Sequence, residues 1–406
     1  MTRKLQLAAL AWALLLPAAA LSQDAPGVFK IPGTDSTLRL YGYAELDGTW
    51  DLSGRIGDIE NYDWASIVPV QPLDGTPQAN ATGQTYLTAR TSRFGIQTKS
   101  PTPIGPLEVK IEGDFNGPNG FQGQTFTNSV LFRLRQAYGN VHGFLVGQTW
   151  TNFIDFPSMA DTVDFNGPGS IALIRQPQIR YTADLNPAMA LSFALENSHN
   201  GGVGTLPDIT AKFSFTPKWG SVGLGFETNQ YHYPSGTIGT SGYNPIGSSK
   251  QGYGLLVAGS YKLLQKDTLV GYMAFGEGIG RYIFNDLAGQ FTGTGPTGDF
   301  LLWRELAYHV GYTHVWNDQL RSNLIWSQTF FDRNGIDTAT FATADDPGAG
   351  TFVPNKRIDQ AFVNTFYGLT KTFWLGAEYA YGRRTTWFNN LGRENRINLA
   401  AHYDFY

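Results

Sequence analysis

Charged side chains alternate with apolar ones along several short segments of the chain. Side chains of an extended strand point alternately to its two faces, so each segment would carry its charges on one face. A guanidinium group stays charged and binds a carboxylate through two parallel hydrogen bonds, so such a face can attract small anions. The charged residues of these segments are Arg93, Glu108, Lys110, Glu112, Asp114, Arg133, Arg135 and Arg180.

The same residues allow a second interpretation. Glu108, Glu112 and Asp114 fall on the segment that precedes Arg133 and Arg135. If the two segments pair as neighbouring strands, opposite charges can form a cross-strand ladder of ion pairs that only solvates the wall. The sequence leaves both interpretations open.

These segments belong to a longer series of strand-like runs. We count about sixteen, at residues 38–50, 85–100, 107–116, 128–140, 143–150, 175–183, 188–198, 208–217, 221–233, 251–264, 267–279, 300–316, 319–332, 356–371, 373–387 and 396–406. The connections between these runs are alternately long and short. The first, 51–84, and the last, 388–395, are both long. This alternation predicts a meander with loops at one rim and tight turns at the other.

The first residues indicate export. Residues 1–4 are basic, residues 5–16 are apolar, and small residues follow at 18–20, which is the pattern of a signal peptide. We therefore predict a signal peptide over 1–22, a short periplasmic N-terminal segment over 23–37, and strands over 38–406. An exported chain of alternating strands has one architecture that enters lipid, the closed antiparallel up-and-down β-barrel.

Composition supports this fold class and excludes several functions. Aromatic residues make up 14% and charged residues only 15%, as expected for a lipid-facing wall with many turns. The formal net charge of −4 argues against a nucleic-acid partner. The chain has no Cys and its six His are scattered, so we expect no metal and no cofactor. No Walker-type loop or GxSxG motif is present, so we expect no enzyme.

Particular motifs resemble a known family. The stretch RTSRFGIQTKS (90–100) with VKIEGDF (109–115) resembles two strands of Gram-negative porins. RLRQAYG (133–139) with GFLVGQTWTNFIDF (143–156), and then PQIRYT (177–182), resemble the strands around the third long loop of DcaP-like outer-membrane porins. The resemblance implies a homotrimer of sixteen-stranded barrels in outer-membrane lipid, passing small anionic solutes such as dicarboxylates.

The resemblance also places the charges. In a porin the third long loop, here 151–174, folds into the pore and narrows it. That loop carries Asp155, Asp161 and Asp164, and Arg175 follows it. We expect these residues to form a constriction with the arginines of the adjacent wall. Three alternatives remain open: a sugar-selective channel using Trp150, Phe153 and Phe156, an adhesin or receptor barrel, and a barrel phospholipase.

Overall fold

The computed structural model describes residues 27–54, 68–117, 128, 130–198, 206–233, 248–264, 266–285, 292–297, 300–346 and 352–405. The predicted signal peptide lies outside these residues and stays a prediction. Among the described residues, no helix has the length and apolar character to cross a bilayer. Four short 3-10 helices occur, at Val68–Val70, Phe156–Ser158, Gly280–Tyr282 and Thr338–Thr340.

Strands make up nearly all of the regular structure. In chain order they are β1 (Val28–Lys30), β2 (Thr37–Ser53), β3 (Gln84–Thr88), β4 (Arg93–Ser100), β5 (Leu107–Asp114), β6 (Arg133–Val141), β7 (Phe144–Trp150), β8 (Arg175–Asn186), β9 (Met189–Glu196), β10 (Asp208–Phe215), β11 (Gly220–Tyr233), β12 (Ser248–Leu263), β13 (Asp267–Glu277), β14 (Thr292–Thr294), β15 (Phe300–Leu302), β16 (Arg304–Val315), β17 (Leu320–Asp332), β18 (Asn355–Gly368), β19 (Phe373–Thr386) and β20 (Leu391–Asp404).

The strands form a closed antiparallel barrel. Each barrel strand pairs with the next along the chain, and β20 pairs back with β2, for example through Leu46 opposite Ala401. Both β3 and β4 pair with β2, so together they make one barrel strand. The small strand β1 pairs antiparallel with the start of β2, and among the described strands β14 pairs only with β15. The wall therefore has sixteen strands, as the sequence predicts.

The last connection differs from the predicted one. Strand β20 begins at Leu391, which lies opposite Thr385 of β19, and not at the predicted Arg396. The turn between them is short because Asn389 takes a positive φ of 62° and the Thr386 N–H donates to the Asn390 carbonyl at 2.9 Å. Asn tolerates the left-handed region better than most residues, which permits so tight a turn.

The two faces of the wall differ as period-two alternation predicts. Large apolar side chains such as Val363 and Leu399, each just over half exposed, lie on the outward face. The inward face carries mostly polar and charged side chains, including Asp47, Glu112 and Glu378, which are buried. Glu378 is buried because the third loop lies against it, and Glu112 because Arg135 of the neighbouring strand covers it. Outward residues of β20 include Leu399 and Tyr403, and Phe405, which follows the strand, is likewise exposed.

A β-bulge in β6 changes which side chains face inward. Glu112 lies opposite Gln136 and Gly113 opposite Leu134, so Arg135 is the extra residue. Beyond the bulge the pattern is inverted, and Tyr138 points inward, where its hydroxyl lies 3.3 Å from Glu108. A bulge places two consecutive residues on one face. From the sequence, Tyr41, Tyr43 and Tyr138 lie near strand ends, where aromatic rings are expected to anchor the wall at the headgroup level. For Tyr138 this expectation is wrong.

Two further tyrosines assigned to that region also face inward. The Tyr41 hydroxyl donates to Glu112 at 2.9 Å, and the Tyr43 ring lies 5.1 Å from the Arg93 guanidinium. A phenol ring suits the membrane interface and a polar lumen equally well, so strand position alone did not distinguish the two.

The third loop, residues 151–174, crosses the barrel interior, as predicted. The Lys212 ammonium group of β10 donates to the Ile154 carbonyl at 2.7 Å, and the Tyr272 hydroxyl of β13 accepts from the Ala172 N–H at 3.3 Å. His309 of β16 contacts both limbs of the loop, through the Ser170 hydroxyl at 2.9 Å and the Ser158 carbonyl at 3.0 Å. The loop thus rests on strands from distant parts of the wall.

Candidate functional site

The predicted arginines and carboxylates of β5 and β6 are paired with each other. Arg133 donates two hydrogen bonds to the Asp114 carboxylate, at 2.9 and 2.8 Å. Arg135 donates to Glu112 at 2.9 Å and to Asp114 at 2.7 Å. Arg135, Glu112 and Asp114 are almost fully buried, whereas the Arg133 side chain is 32% exposed. The cross-strand ladder therefore exists, and Arg133 lies at its accessible edge.

Two more cations approach the same carboxylates. Arg93 lies 3.9 Å and Lys110 3.4 Å from Glu112. With Arg133 and Arg135, four cations share the two carboxylates Glu112 and Asp114, which leaves an excess of positive charge. Glu108 lies further along β5, 3.8 Å from the exposed Lys99. We name Arg93, Lys110, Arg133, Arg135, Glu112 and Asp114 the basic cluster.

Two predicted arginines lie on β8: Arg175 at its start, beside the basic cluster, and Arg180 further along, opposite Leu145 and within the electrostatic reach of Glu196. Within the described residues, Arg175 and Arg180 form no ion pair. The Arg175 guanidinium lies 4.4 Å from the centre of the Trp150 ring, and Arg135 lies 5.6 Å from the same ring. A cation above an indole face is attracted to it, and this fixes Arg175 beside the cluster.

The aspartates of the third loop lie elsewhere, against other parts of the wall. Asp155 packs on β11, where a Cβ atom on Gly223 would lie 2.5 Å from its carboxylate oxygen. Asp161 binds Arg321 of β17 at 2.7 Å. The loop residue that contacts the basic cluster is Phe165, whose ring lies 5.8 Å from the Arg135 guanidinium. The expectation that Asp155 and Asp161 face these arginines is wrong, because the loop turns its carboxylates toward the far strands.

Glu378 of β19, which the sequence did not single out, anchors the tip of the third loop. Its carboxylate accepts from the Val163 N–H at 2.9 Å and the Asp164 N–H at 3.0 Å. Asn364 and Asn398 donate to it at 2.9 and 3.0 Å. The side chain is 2% exposed. Asp164 therefore lies beside β19.

The aromatic residues of the third loop do not form a continuous path. Phe153 is fully buried and packs edge-on against Tyr282 at 5.5 Å between ring centres. Phe156 is 46% exposed and lies edge-on to Trp150 at 5.5 Å. Trp150 and Phe156 thus form a small aromatic pair beside Arg175.

A second inward-folded segment, with the 3-10 helix Gly280–Tyr282, covers the wall at β9 and β10. Arg281 pairs with Asp208, and the Tyr282 hydroxyl donates to Asp208 at 3.0 Å. Burial, reinforced by Glu196 and Asp208, raises the pKa of Tyr282 well above its ordinary value, so the phenol stays protonated. This segment packs against β8, β9 and β10 through these contacts.

Among the described residues, His, Asp and Glu form no group of three or more that could hold a metal ion. The groups that this site presents to a solute are the fixed charges of the basic cluster. A positive wall and a loop across the lumen make a narrowed, charged passage, which can select solutes by size and sign.

Comparisons with known proteins agree with this geometry. The chain is similar to the outer membrane channel DcaP of Acinetobacter baumannii, with 23% identity and a TM-score of 0.72 over 93% of this chain and 99% of that one. It is also similar to an anion-selective porin from Comamonas acidovorans, with 12% identity and a TM-score of 0.55 over 91% and 100%. It is similar as well to a trimer form of OmpT from Vibrio cholerae, with 14% identity and a TM-score of 0.55 over 91% of this chain and 99% of that one.

No curated protein matches the chain by sequence. A family model for the DcaP outer membrane protein matches residues 15–405, nearly the whole chain. Together with the closed sixteen-stranded wall and the inward third loop, this match identifies the chain as a member of the DcaP outer membrane protein family, a porin barrel of the Gram-negative outer membrane.

Proposed function

We propose that the barrel passes small hydrophilic solutes by passive diffusion and favours anionic carboxylates. The observation that carries the proposal is the excess of positive charge in the basic cluster, together with Arg175 and Arg180, which have no carboxylate partner among the described residues. In a low-dielectric passage such fixed charge concentrates ions of the opposite sign. The similar Comamonas acidovorans structure is named an anion-selective porin, which supports this assignment.

Arginine geometry favours carboxylates over other anions of similar size. A guanidinium fork matches the two oxygens of a carboxylate, and Arg133 already binds Asp114 in this way. Arg175 has its guanidinium fixed by Trp150 and free of any such partner within the described chain. A passing carboxylate can therefore exchange water for Arg175 and then for the exposed edge of Arg133. Transport of this kind involves no turnover and no cofactor.

A sugar-selective channel has less support. Stacking of a sugar ring requires an open aromatic face, but guanidinium groups lie over Trp150 at 4.4 and 5.6 Å. Phe153 is buried and cannot meet a solute. Of Trp150, Phe153 and Phe156, Phe156 has the most exposed side chain, at 46%.

Replacing both unpaired arginines, Arg175→Gln with Arg180→Gln, should reduce anion preference. The change removes two positive charges and leaves the ladder of β5 and β6 intact. We expect the anion-to-cation permeability ratio, from the reversal potential of purified protein in planar bilayers under a KCl gradient, to fall by roughly threefold. Liposome swelling with a dicarboxylate should slow relative to a neutral solute of equal size.

Arg304→Gln is the matched control, since Arg304 pairs with Glu277 in the outward register and its side chain is 58% exposed. It removes the same kind of charge outside the lumen, so its reversal potential should equal that of the unchanged protein. If Arg175→Gln with Arg180→Gln keeps the original reversal potential, the preference for anions does not come from these residues.

We also propose that the protein assembles as a homotrimer. The support is the family resemblance and a similar structure described as a trimer form of OmpT. Light scattering of the protein in a mild detergent should give three times the mass of one chain after correction for bound detergent. A mass of one chain, with the barrel still folded, would exclude the trimer.

A further inference from the structure

Arg357 and Arg383 lie on the outward face of the wall, at a rim where Glu277, Arg304, Asp332 and Arg393 also face outward. Arg357 of β18 and Arg383 of β19 both bind Asp359 of β18. Strand register puts these residues in line with Val363 and Tyr379, which are exposed on the outer face. They therefore belong to the surface that faces the membrane and not to the lumen.

The contacts around Asp359 form a built polar site. Arg383 donates to one carboxylate oxygen at 2.9 and 2.7 Å, and Arg357 donates to the same oxygen at 3.1 Å. Gln328 donates to the other oxygen at 2.5 Å, and the Tyr308 hydroxyl donates to Gln328. Asp359 is fully buried under these groups, whereas Arg357 and Arg383 are 35% and 30% exposed.

The site carries unbalanced positive charge. Two guanidinium groups share one carboxylate, and within the described residues the terminal nitrogens of Arg357 have no hydrogen-bond partner. An unpaired cation at a lipid-facing surface is costly unless an anion meets it. Described residues in the same outward register on β9, β10 and β12 are uncharged, so the feature is local to this side of the barrel.

The depth of the site matches a lipid headgroup. Arg357 is the third residue of β18 after a long loop, so it lies near the loop-bearing rim, which in this architecture is extracellular. The next outward residues down β18 are Ala361 and Val363, and their neighbours on β17 are Trp326 and Leu324. A charged pair thus lies directly above an apolar belt.

An outward apolar cleft lies beside the arginine pair. Tyr253, Phe275, Leu306 and Phe330 line it, and Arg304 and Asp332 form its charged edge. Phe330 lies opposite Arg357 in the register of β17 and β18. An acyl chain in this cleft would therefore have its headgroup next to the arginines.

We propose that Arg357 and Arg383 bind a phosphate of lipid A, the phosphorylated glycolipid of the outer leaflet of the Gram-negative outer membrane. Guanidinium groups bind phosphate through charge-assisted hydrogen bonds, and a phosphate monoester carries enough negative charge to neutralise the excess cation. The nearby cleft accepts an acyl chain of the same molecule. Charge complementarity and position in the outer leaflet both select this occupant over a neutral lipid.

The test uses Arg357→Gln in the full barrel, purified in detergent. Arg383 and Gln328 still satisfy Asp359 in this variant, so the fold should be kept. We expect the affinity for lipid A, measured by native mass spectrometry titration, to fall about tenfold, the loss of one charge-assisted contact. Lys266→Gln, at a short turn on the opposite rim, removes the same charge and should bind lipid A normally.

Two further measurements test which lipid binds and whether a second copy of the chain covers the site instead. Dephosphorylated lipid A should bind the unchanged protein and Arg357→Gln equally weakly, and phosphatidylglycerol, a phosphodiester, should bind less tightly than lipid A. Equal affinity of Arg357→Gln and the unchanged protein for lipid A would overturn the proposal. So would an intersubunit disulfide formed by Arg357→Cys, because it would show that a second copy covers the site.

Discussion

Glu378→Ala should open the pore and make its current noisy. The substitution removes the acceptor of four hydrogen bonds, two of them from the backbone at the tip of the third loop. Without it the tip loses its anchor on β19, and the loop samples positions away from the wall. We expect single-channel conductance to rise roughly twofold, since conductance follows the width of the constriction.

The same substitution should also destabilise the barrel. It leaves two backbone N–H groups and the Asn398 amide buried without a partner, whereas Asn364 keeps its bond to the Asp161 carbonyl. The cost is about 3–5 kcal/mol in the free energy of unfolding. Heat-dependent mobility in gel electrophoresis would detect the change. Glu277→Ala is the control, because Glu277 pairs with Arg304 in the outward register and does not touch the loop. Unaltered conductance and noise in Glu378→Ala would show that the loop is held by its other contacts alone.

The double substitution Arg133→Ala with Arg135→Ala should move the channel toward cations. It removes two of the four cations of the basic cluster and uncovers Glu112 and Asp114, which are nearly fully buried beneath them. The local charge changes from positive to balanced. We expect the anion-to-cation permeability ratio in planar bilayers to fall by about tenfold, more than for the unpaired arginines.

Two variants separate this effect from damage to the fold. Arg133→Lys with Arg135→Lys keeps both positive charges but loses the bidentate hydrogen bonding of arginine. The preference for anions over cations should therefore remain. Asp114→Asn should move the reversal potential the opposite way, toward anions, because it removes a negative charge from the same place. A double alanine variant with the reversal potential of the unchanged protein would mean that the cluster is structural only.

The sequence predicted the wall well because a strand has a fixed period of two. Segments such as 107–114 and 133–135 show their charged face directly, and their pairing as neighbouring strands is confirmed. The bulge at Arg135 could not be predicted, since it depends on how Gly113 and Leu134 align across two strands. Tyr138 was misplaced for that reason alone.

The loops explain the remaining differences. Inward residues are expected to be polar, yet Ile358 and Phe362 of β18 face inward and are fully buried. They pack inside the barrel with loop residues such as Val68 and Ala160, so β18 carries apolar side chains on both faces. Arg357 and Asp359 alternate with the inward-facing residues and point outward. Partners such as Asp161 and Arg321 are 160 residues apart, and no local pattern relates them.

The third loop and the residues that hold its tip are far apart in the chain, and this determines when the passage becomes narrow during assembly. The third loop ends at residue 174, but its contacts at His309, Arg321 and Glu378 belong to the second half of the polypeptide. During assembly the tip of the loop lacks these contacts until the later strands are in place, although the base of the loop can already contact Lys212. A half-built barrel would therefore have a wide lumen, and selectivity would arise only as the final step of assembly.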